Sequence, residues 1–138
     1  MRKYLAALFI AGALATGCGG PLTYKLAASP KAVGADGKLE ATIYKDEHET
    51  KIVFNVSNLA PASRITPDAK FFVVWGRKDS KANWQRVGNF VYAEDKRNGL
   101  FKASFPEVEF DLQVSVEKDD SVQSPSSDIV FSQHVGPA

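Results

Sequence analysis

The chain of 138 residues predicts an all-β fold: an immunoglobulin-like Greek-key β-sandwich of seven or eight strands that follows an N-terminal signal helix. Three observations lead to this prediction. Apolar and polar residues alternate with a period of two in several segments. Turn-forming residues recur at intervals of about ten positions. No helical periodicity appears after the first 17 residues. Short strands at regular spacing are typical of two packed antiparallel sheets.

Each strand is predicted from this alternation and from the residues that interrupt it. Residues 108–117 alternate most clearly, and residues 70–77 are apolar on both faces, which is typical of a central strand covered on both sides. Asn98-Gly99 predicts a type I′ hairpin turn, because both of its central positions need positive φ. Gly88-Asn89 predicts a bulge. The predicted strands are 22–27, 38–45, 51–57, 70–77, 84–93, 100–105, 108–117 and 129–135.

Two predicted connections complete this scheme. Pro61 and Pro67 exclude a central strand from residues 58–68, which we expect to form a crossing loop. The charged residues 46–49 predict a hairpin connection, with His48 at a solvated tip.

The start of the chain has the features of a secretion signal. Arg2 and Lys3 precede an apolar run at residues 5–14, and three small residues follow at 15–17. The run is too short to span a bilayer, which takes roughly twenty apolar residues. Cys18, the only cysteine of the chain, comes directly after this segment.

Leu14-Ala15-Thr16-Gly17-Cys18 resembles the lipobox of bacterial lipoproteins, with Ala15 where the family usually has leucine. The resemblance implies that Cys18 is lipidated and becomes the first residue of the mature protein. Residues 1–17 would then be a lipoprotein signal peptide, 18–21 a lipidated tether and 22–138 the β-sandwich domain. The alternative is ordinary cleavage after Ala13-Leu14-Ala15, which would release a soluble protein with a free thiol.

Lipidation would make the membrane a partner of the protein through the anchor on Cys18. Several acyl chains hold firmly, since each buried methylene contributes about 0.8 kcal/mol. Gly19 stands where an aspartate retains lipoproteins in the inner membrane of enteric-type bacteria, so by analogy we expect the outer membrane. The tether of residues 19–21 reaches no more than about 15 Å, which would place the domain close to the bilayer.

Charge excludes nucleic acid as an expected partner. Without Arg2 and Lys3, 15 of the 17 basic residues remain against 16 acidic ones, a net charge near −1. Residues 61–102 carry nine basic and four acidic residues, whereas 103–138 carry one and seven. This segregation indicates either a basic face for an anionic surface such as lipopolysaccharide or basic and acidic strands that neutralise each other side by side. We favour neutralisation.

The second half of the chain carries a further set of landmarks. They are Phe72-Val73-Val74-Trp75, Val87-Gly88-Asn89-Phe90, the strand 110–117 and the segment 125–131. This pattern is similar to the extracytoplasmic domain of anti-sigma-K-type factors and to immunoglobulin-like bacterial lipoproteins. The resemblance implies the sandwich fold. Members that regulate sigma factors have a cytoplasmic helical domain and a membrane span before this module, so we carry over the fold rather than the anti-sigma role.

No metal, cofactor or catalytic site is expected. His48 lies among acidic residues, but neighbours in a turn point in different directions and do not converge on one ion. Asp119, Asp120, Ser121 and Asp128 lack the spacing of a calcium loop and predict an acidic surface loop. A catalytic triad would need His48 or His134. His134 lies on a predicted strand and is expected to be exposed.

The candidate contacts with a ligand or partner are aromatic and basic. Trp75 is expected in the core, where it would resemble the buried tryptophan of immunoglobulin strand C, whereas Trp84 near a strand start is the more exposed. Tryptophan can stack on sugars. The possible contact residues are Trp84, Arg86, Arg77 and Lys78.

These features favour a lipid-anchored envelope protein that acts as a non-catalytic structural or interaction module. Two alternatives stay open. One is an extracytoplasmic sensor or regulatory domain partnered with a signalling protein. The other is an envelope glycan-binding module. An envelope protein or a glycan is thus the expected partner besides the membrane.

Overall fold

The computed structural model describes residues 20–137, and the segment predicted to be a signal peptide lies outside this range, as does Cys18. Two antiparallel sheets pack face to face, as predicted. Within the described residues nine strands are present: β1 (Leu22–Ala27), β2 (Asp36–Tyr44), β3 (Glu49–Ser57), β4 (Phe71–Arg77), β5 (Gln85–Asn89), β6 (Val91–Ala93), β7 (Asn98–Phe105), β8 (Phe110–Glu117) and β9 (Ile129–Val135). A 3₁₀ turn (Pro30–Ala32) and a one-turn helix (Ala62–Ile65) lie in the connections.

The strand order is that of an immunoglobulin-type Greek key. One sheet has the order β1-β2-β3-β7-β6 and the other β5-β4-β8-β9. Apart from the additional edge strand β1, these orders correspond to A-B-E-D and C′-C-F-G of immunoglobulin domains. The predicted strand limits agree with the observed ones to within two residues. No helix among residues 20–137 is long and apolar enough to cross a membrane.

The predicted strand 84–93 is divided between the two sheets. Val87 is an extra residue opposite β4, because Val74 pairs with Gly88 and Trp75 with Arg86. The bulge therefore lies just before the predicted Gly88-Asn89. At Phe90 the chain leaves the four-stranded sheet, and the next residues join the other sheet as β6. The segment predicted as one strand thus forms two, β5 at the edge of one sheet and β6 at the edge of the other.

The predicted turn at Asn98-Gly99 is wrong. Both residues belong to β7, and the turn is formed by residues 94–97, with Arg97 at a φ of 57°. Gly99 lies close to a neighbouring ring: a Cβ atom there would lie 3.1 Å from Cδ1 of Phe90. The glycine makes room for the ring at which the chain changes sheets.

Aromatic rings fill the space between the sheets. Phe54 of β3 is fully buried, with its ring centroid 5.3 Å from those of Phe90 and of Phe131 on β9. Phe105 and Phe110 form a second pair at 4.7 Å. Tilted and edge-to-face contacts of this kind add to the hydrophobic stabilisation.

Trp75 is buried as predicted, but it does not lie between the sheets. Phe72 and Val74 occupy the inner positions of β4, so Trp75 points to the outer face of the four-stranded sheet. There it is fully buried, and its Nε1 donates to Oγ of Ser115 at 2.8 Å. The predicted resemblance to the immunoglobulin tryptophan is therefore wrong about where the side chain lies, although Trp75 is buried as predicted.

The segment 118–128 covers this outer face. Glu117 Oε2 accepts bonds from Ser115 Oγ at 2.5 Å and from the Ser126 backbone N–H at 2.8 Å. Arg86 Nη1 donates to the carbonyl of Val122 at 3.2 Å. The polar segment predicted as a surface loop thus provides the second cover of β4.

Candidate functional site

One end of the sandwich holds both ends of the described chain. Leu22 begins β1 opposite Ala41, and the Tyr24 hydroxyl accepts a bond from Gly136 N–H at 3.0 Å. The turn at residues 45–48 lies at this same end. We call it the Leu22 end.

A charged cluster lies near this end, on the outer face of the four-stranded sheet. Asp111 of β8 pairs with Arg77 of β4 on one side and with His134 of β9 on the other. Arg77 Nε donates to Asp111 Oδ2 at 3.1 Å, and its guanidinium lies 4.2 Å from the centroid of the Trp84 ring. His134 Nδ1 is 2.8 Å from Asp111 Oδ1, and its Nε2 is 2.7 Å from Glu109 Oε2. These five residues form the Arg77–His134 cluster.

The geometry favours a protonated His134. A neutral imidazole has one N–H group and can donate to one carboxylate, whereas the cation donates to both. The hydrogen bonds with Asp111 and then Glu109 raise the pKa of His134 above its ordinary 6.5. The bond with His134, and next the bond with Arg77, lowers the pKa of Asp111 below 3.8. Two positive and two negative groups therefore balance at mildly acidic pH.

His134→Gln is expected to reduce stability more at pH 5.5 than at pH 9. Because the folded-state pKa of His134 is raised, its stabilisation is complete below the unfolded value and is lost as pH rises through the folded one. His134 and its two carboxylate partners are partly exposed. We therefore expect the loss in the free energy of unfolding at pH 5.5 to exceed the loss at pH 9 by about 0.2–1 kcal/mol. Urea unfolding at both pH values measures it. Ser132→Ala on the same strand serves as control, and an equal loss at both pH values for His134→Gln would contradict the assignment.

The structure places the four predicted contact residues in different surroundings. Arg77 and Trp84 are stacked in the cluster. Arg86 instead bonds Asn89 Oδ1 at 2.6 Å and the segment 118–128, so it supports the fold. Lys78 is exposed at the start of the connection to β5.

Three cluster residues were not predicted as site residues. His134 is exposed, as expected, but its partners were not foreseen. Alternation alone places Glu109 and Asp111 on one face of a strand, which was the available signal. Only the pairing of β8 with β9 shows that His134 lies between them.

A polar hollow adjoins the cluster. Its volume is about 330 Å³, and its lining includes Arg77, Trp84, Gln113 and Ser132. Gln113 and Ser132 are directly opposite each other on β8 and β9. The hollow thus combines an aromatic ring, a guanidinium and neutral hydrogen-bonding groups.

A larger groove lies on the outer face of the five-stranded sheet. Its volume is about 940 Å³, and Lys25, Asp36 and Lys38 stand among its lining residues. Two apolar side chains in the groove are exposed, Val91 at 76% and Leu100 at 36%. Because Asp36 pairs with Ala27, the last residue of β1, the groove lies away from the Leu22 end.

The histidine and the acidic residues considered for metal binding have separate partners. His48 is exposed, with its Nε2 3.3 Å from Glu107 Oε1. Asp119 accepts bonds from Ser121, whereas Asp128 binds Lys31 at 3.0 Å and Thr66 at 2.9 Å. The bond from Lys31 lowers the pKa of Asp128. No group of three or more potential ligands within residues 20–137 is arranged to hold a metal ion.

Comparisons of the chain with known protein families, with curated proteins and with solved structures find no match. The resemblances to lipoproteins and to anti-sigma-K-type factors therefore stay predictions.

Proposed function

We propose that the chain is a lipid-anchored protein of the bacterial cell envelope, in the outer membrane, whose sandwich works as a non-catalytic interaction module. The short interval between Cys18 and the first strand supports this most strongly. Leu22 already belongs to β1, so three residues separate it from the lipidation candidate. At about 3.5 Å per residue, the Leu22 end would lie within roughly 15 Å of the acyl chains.

The surroundings of the two histidines support binding rather than catalysis. A general base needs a ring nitrogen that faces the proton it removes. Both ring nitrogens of His134 lie beside carboxylates, and Nε2 of His48 lies beside Glu107. With both ring nitrogens engaged, His134 orients neighbouring charges rather than activating a nucleophile, and His48 lies on an exposed turn.

Cys18→Ala in the full chain is expected to abolish incorporation of an alkyne fatty acid, because the thiol is the acylation site. Metabolic labelling in an enteric-type host followed by fluorophore conjugation measures this. Gly19→Asp is the matched control: it keeps the label and moves the protein from the outer to the inner membrane fraction in a density gradient.

Label that persists in Cys18→Ala, or a wild-type chain without label, would contradict the anchor. Mass spectrometry of the mature N-terminus separates the alternative. Ordinary cleavage after Ala15 leaves Thr16 as an unmodified first residue, whereas lipoprotein processing leaves an acylated Cys18.

The groove on the five-stranded sheet favours a second candidate, an extracytoplasmic sensor that contacts a signalling protein. Exposed Val91 and Leu100 beside Lys25 and Lys38 suit an apolar segment with acidic residues. If so, a Val91→Asp/Leu100→Asp double variant reproduces the transcriptional change caused by deletion, and Trp84→Ala does not. Transcription that is unchanged after deletion would rule this candidate out.

A further inference from the structure

The guanidinium of Arg77 is held in place with its outer edge available. Its Nε donates to Asp111, and its Cζ lies over the Trp84 ring, 4.2 Å from the ring centroid. In the part of the chain that the structure describes, its two terminal amino groups donate to no protein acceptor. A guanidinium fixed in this way loses little side-chain entropy when it binds a ligand.

The hollow beside Arg77 has the size and lining of a site for a small polar molecule. Its volume of about 330 Å³ is at the lower end of the range for ligand sites, which suits one or two sugar rings. Gln113 and Ser132 supply donors and acceptors for hydroxyl groups. The partly exposed Trp84 supplies an amphipathic aromatic surface.

The charges around the hollow favour an acidic ligand. Glu109 and Asp111 are already engaged by His134 and Arg77. The terminal amino groups of Arg77 remain, and the adjoining connection carries the exposed Lys78, Asp79 and Lys81, a net charge of one positive. A guanidinium fork matches the paired oxygens of a carboxylate or phosphate.

We propose that this hollow binds an acidic saccharide, with its carboxylate or phosphate on Arg77, its ring against Trp84 and its hydroxyls on Gln113 and Ser132. The hollow is near the Leu22 end, since Asp111 is the second residue of β8 and Phe110 pairs with Val135. A headgroup sugar of a glycolipid would be within reach there, and this choice of source rests on the proposed lipid anchor. The assignment of an acidic saccharide to the hollow does not depend on the anchor.

The test titrates the detergent-solubilised full chain with glucuronic acid, glucose 1-phosphate and glucose by calorimetry. Both acidic sugars are expected to bind saturably and at least tenfold more tightly than glucose. Trp84→Ala and Arg77→Lys should each weaken binding tenfold or more, and Ser132→Ala should weaken it about threefold, the size of one neutral hydrogen bond. Lys102→Gln, a charge change on the other sheet, should have no effect.

Absence of saturable binding, equal affinity for glucose, or full affinity in folded Trp84→Ala and Ser132→Ala would overturn the proposal. Dispersed ¹⁵N-HSQC spectra establish that each variant is folded. If Arg77→Lys does not fold, the affinities of Trp84→Ala and Ser132→Ala decide whether the proposal holds. Fatty-acid labelling at Cys18 is independent of all these outcomes, so failure of the saccharide site is distinguishable from failure of the anchor.

A second arm distinguishes the sources of the sugar. The acylated chain is reconstituted in neutral phospholipid vesicles with or without a glycolipid that carries phosphorylated glucosamine, and glucose 1-phosphate is titrated. Competition by the glycolipid identifies a headgroup sugar, whereas unchanged affinity identifies a soluble or polymeric saccharide. Both results support the site. Equal competition by phosphatidylglycerol would overturn it, because charge alone would then explain binding.

Discussion

Replacing Phe54 with alanine is expected to lower the free energy of unfolding by about 3–5 kcal/mol. Phe54 is fully buried, and it contacts Phe131 of the opposite sheet and Phe90 at the point where the chain changes sheets. A Cβ on Gly37 would lie 2.7 Å from the Phe54 ring, so the backbone of β2 already approaches this ring closely. Rigid strands on both sides keep the resulting cavity from closing, which places the cost near the upper end of that range.

Urea unfolding of the full chain, followed by tryptophan fluorescence, measures this loss. Asn55→Ala is the matched control, because Asn55 is the next residue on β3 and points to solvent. Its substitution is expected to change stability by no more than about 0.5 kcal/mol. Equal effects of the two variants would show that the Phe54 ring does not join the sheets.

Glu117→Ala is expected to lower the free energy of unfolding by about 3 kcal/mol and to release the segment 118–128. Glu117 is 6% exposed, and it accepts bonds from Ser115 Oγ and from the Ser126 backbone N–H. Among residues 20–137 every buried side-chain nitrogen or oxygen has a partner. The alanine leaves two donors without an acceptor, each at a cost of about 1–3 kcal/mol.

Hydrogen exchange at the Ser126 amide reads out this release directly. A loss of about 3 kcal/mol in local opening corresponds to exchange roughly a hundredfold faster. Glu117→Gln keeps one acceptor oxygen and is expected to fall between wild type and Glu117→Ala. Asp120→Ala, on an exposed residue of the same segment, is the control. Unchanged exchange in Glu117→Ala would mean that other contacts hold the segment.

The strands were predictable because their signals are local. The alternation in residues 108–117 reports that one face of β8 is buried, whatever it packs against. Residues 70–77, which are apolar on both faces, predicted a central strand covered on both sides, and β4 is such a strand. Strand β4 of the basic segment pairs with β8 of the acidic segment, and among the described residues one ion pair, Arg77–Asp111, joins the two segments.

The errors arose where one local signal has two physical causes. Asn98-Gly99 satisfies a type I′ turn, but here the glycine lies within β7 and faces the ring of Phe90, the residue between β5 and β6. A buried tryptophan on a central strand fits either face. Its place on the outer face, with Nε1 bonded to Ser115 Oγ, depends on the cover supplied by residues 118–128, which are distant in sequence from β4.

By itself the sequence determined the all-β class, the strand limits and the lipobox-like motif at Cys18, because each depends on residues that are neighbours along the chain. Only the tertiary structure decided which face buries Trp75, and it alone brought together Arg77, Asp111 and His134. These three residues come from β4, β8 and β9, and their contacts follow from strand order and register. A period of two assigns a residue to a face, but it carries no information about which strand lies alongside.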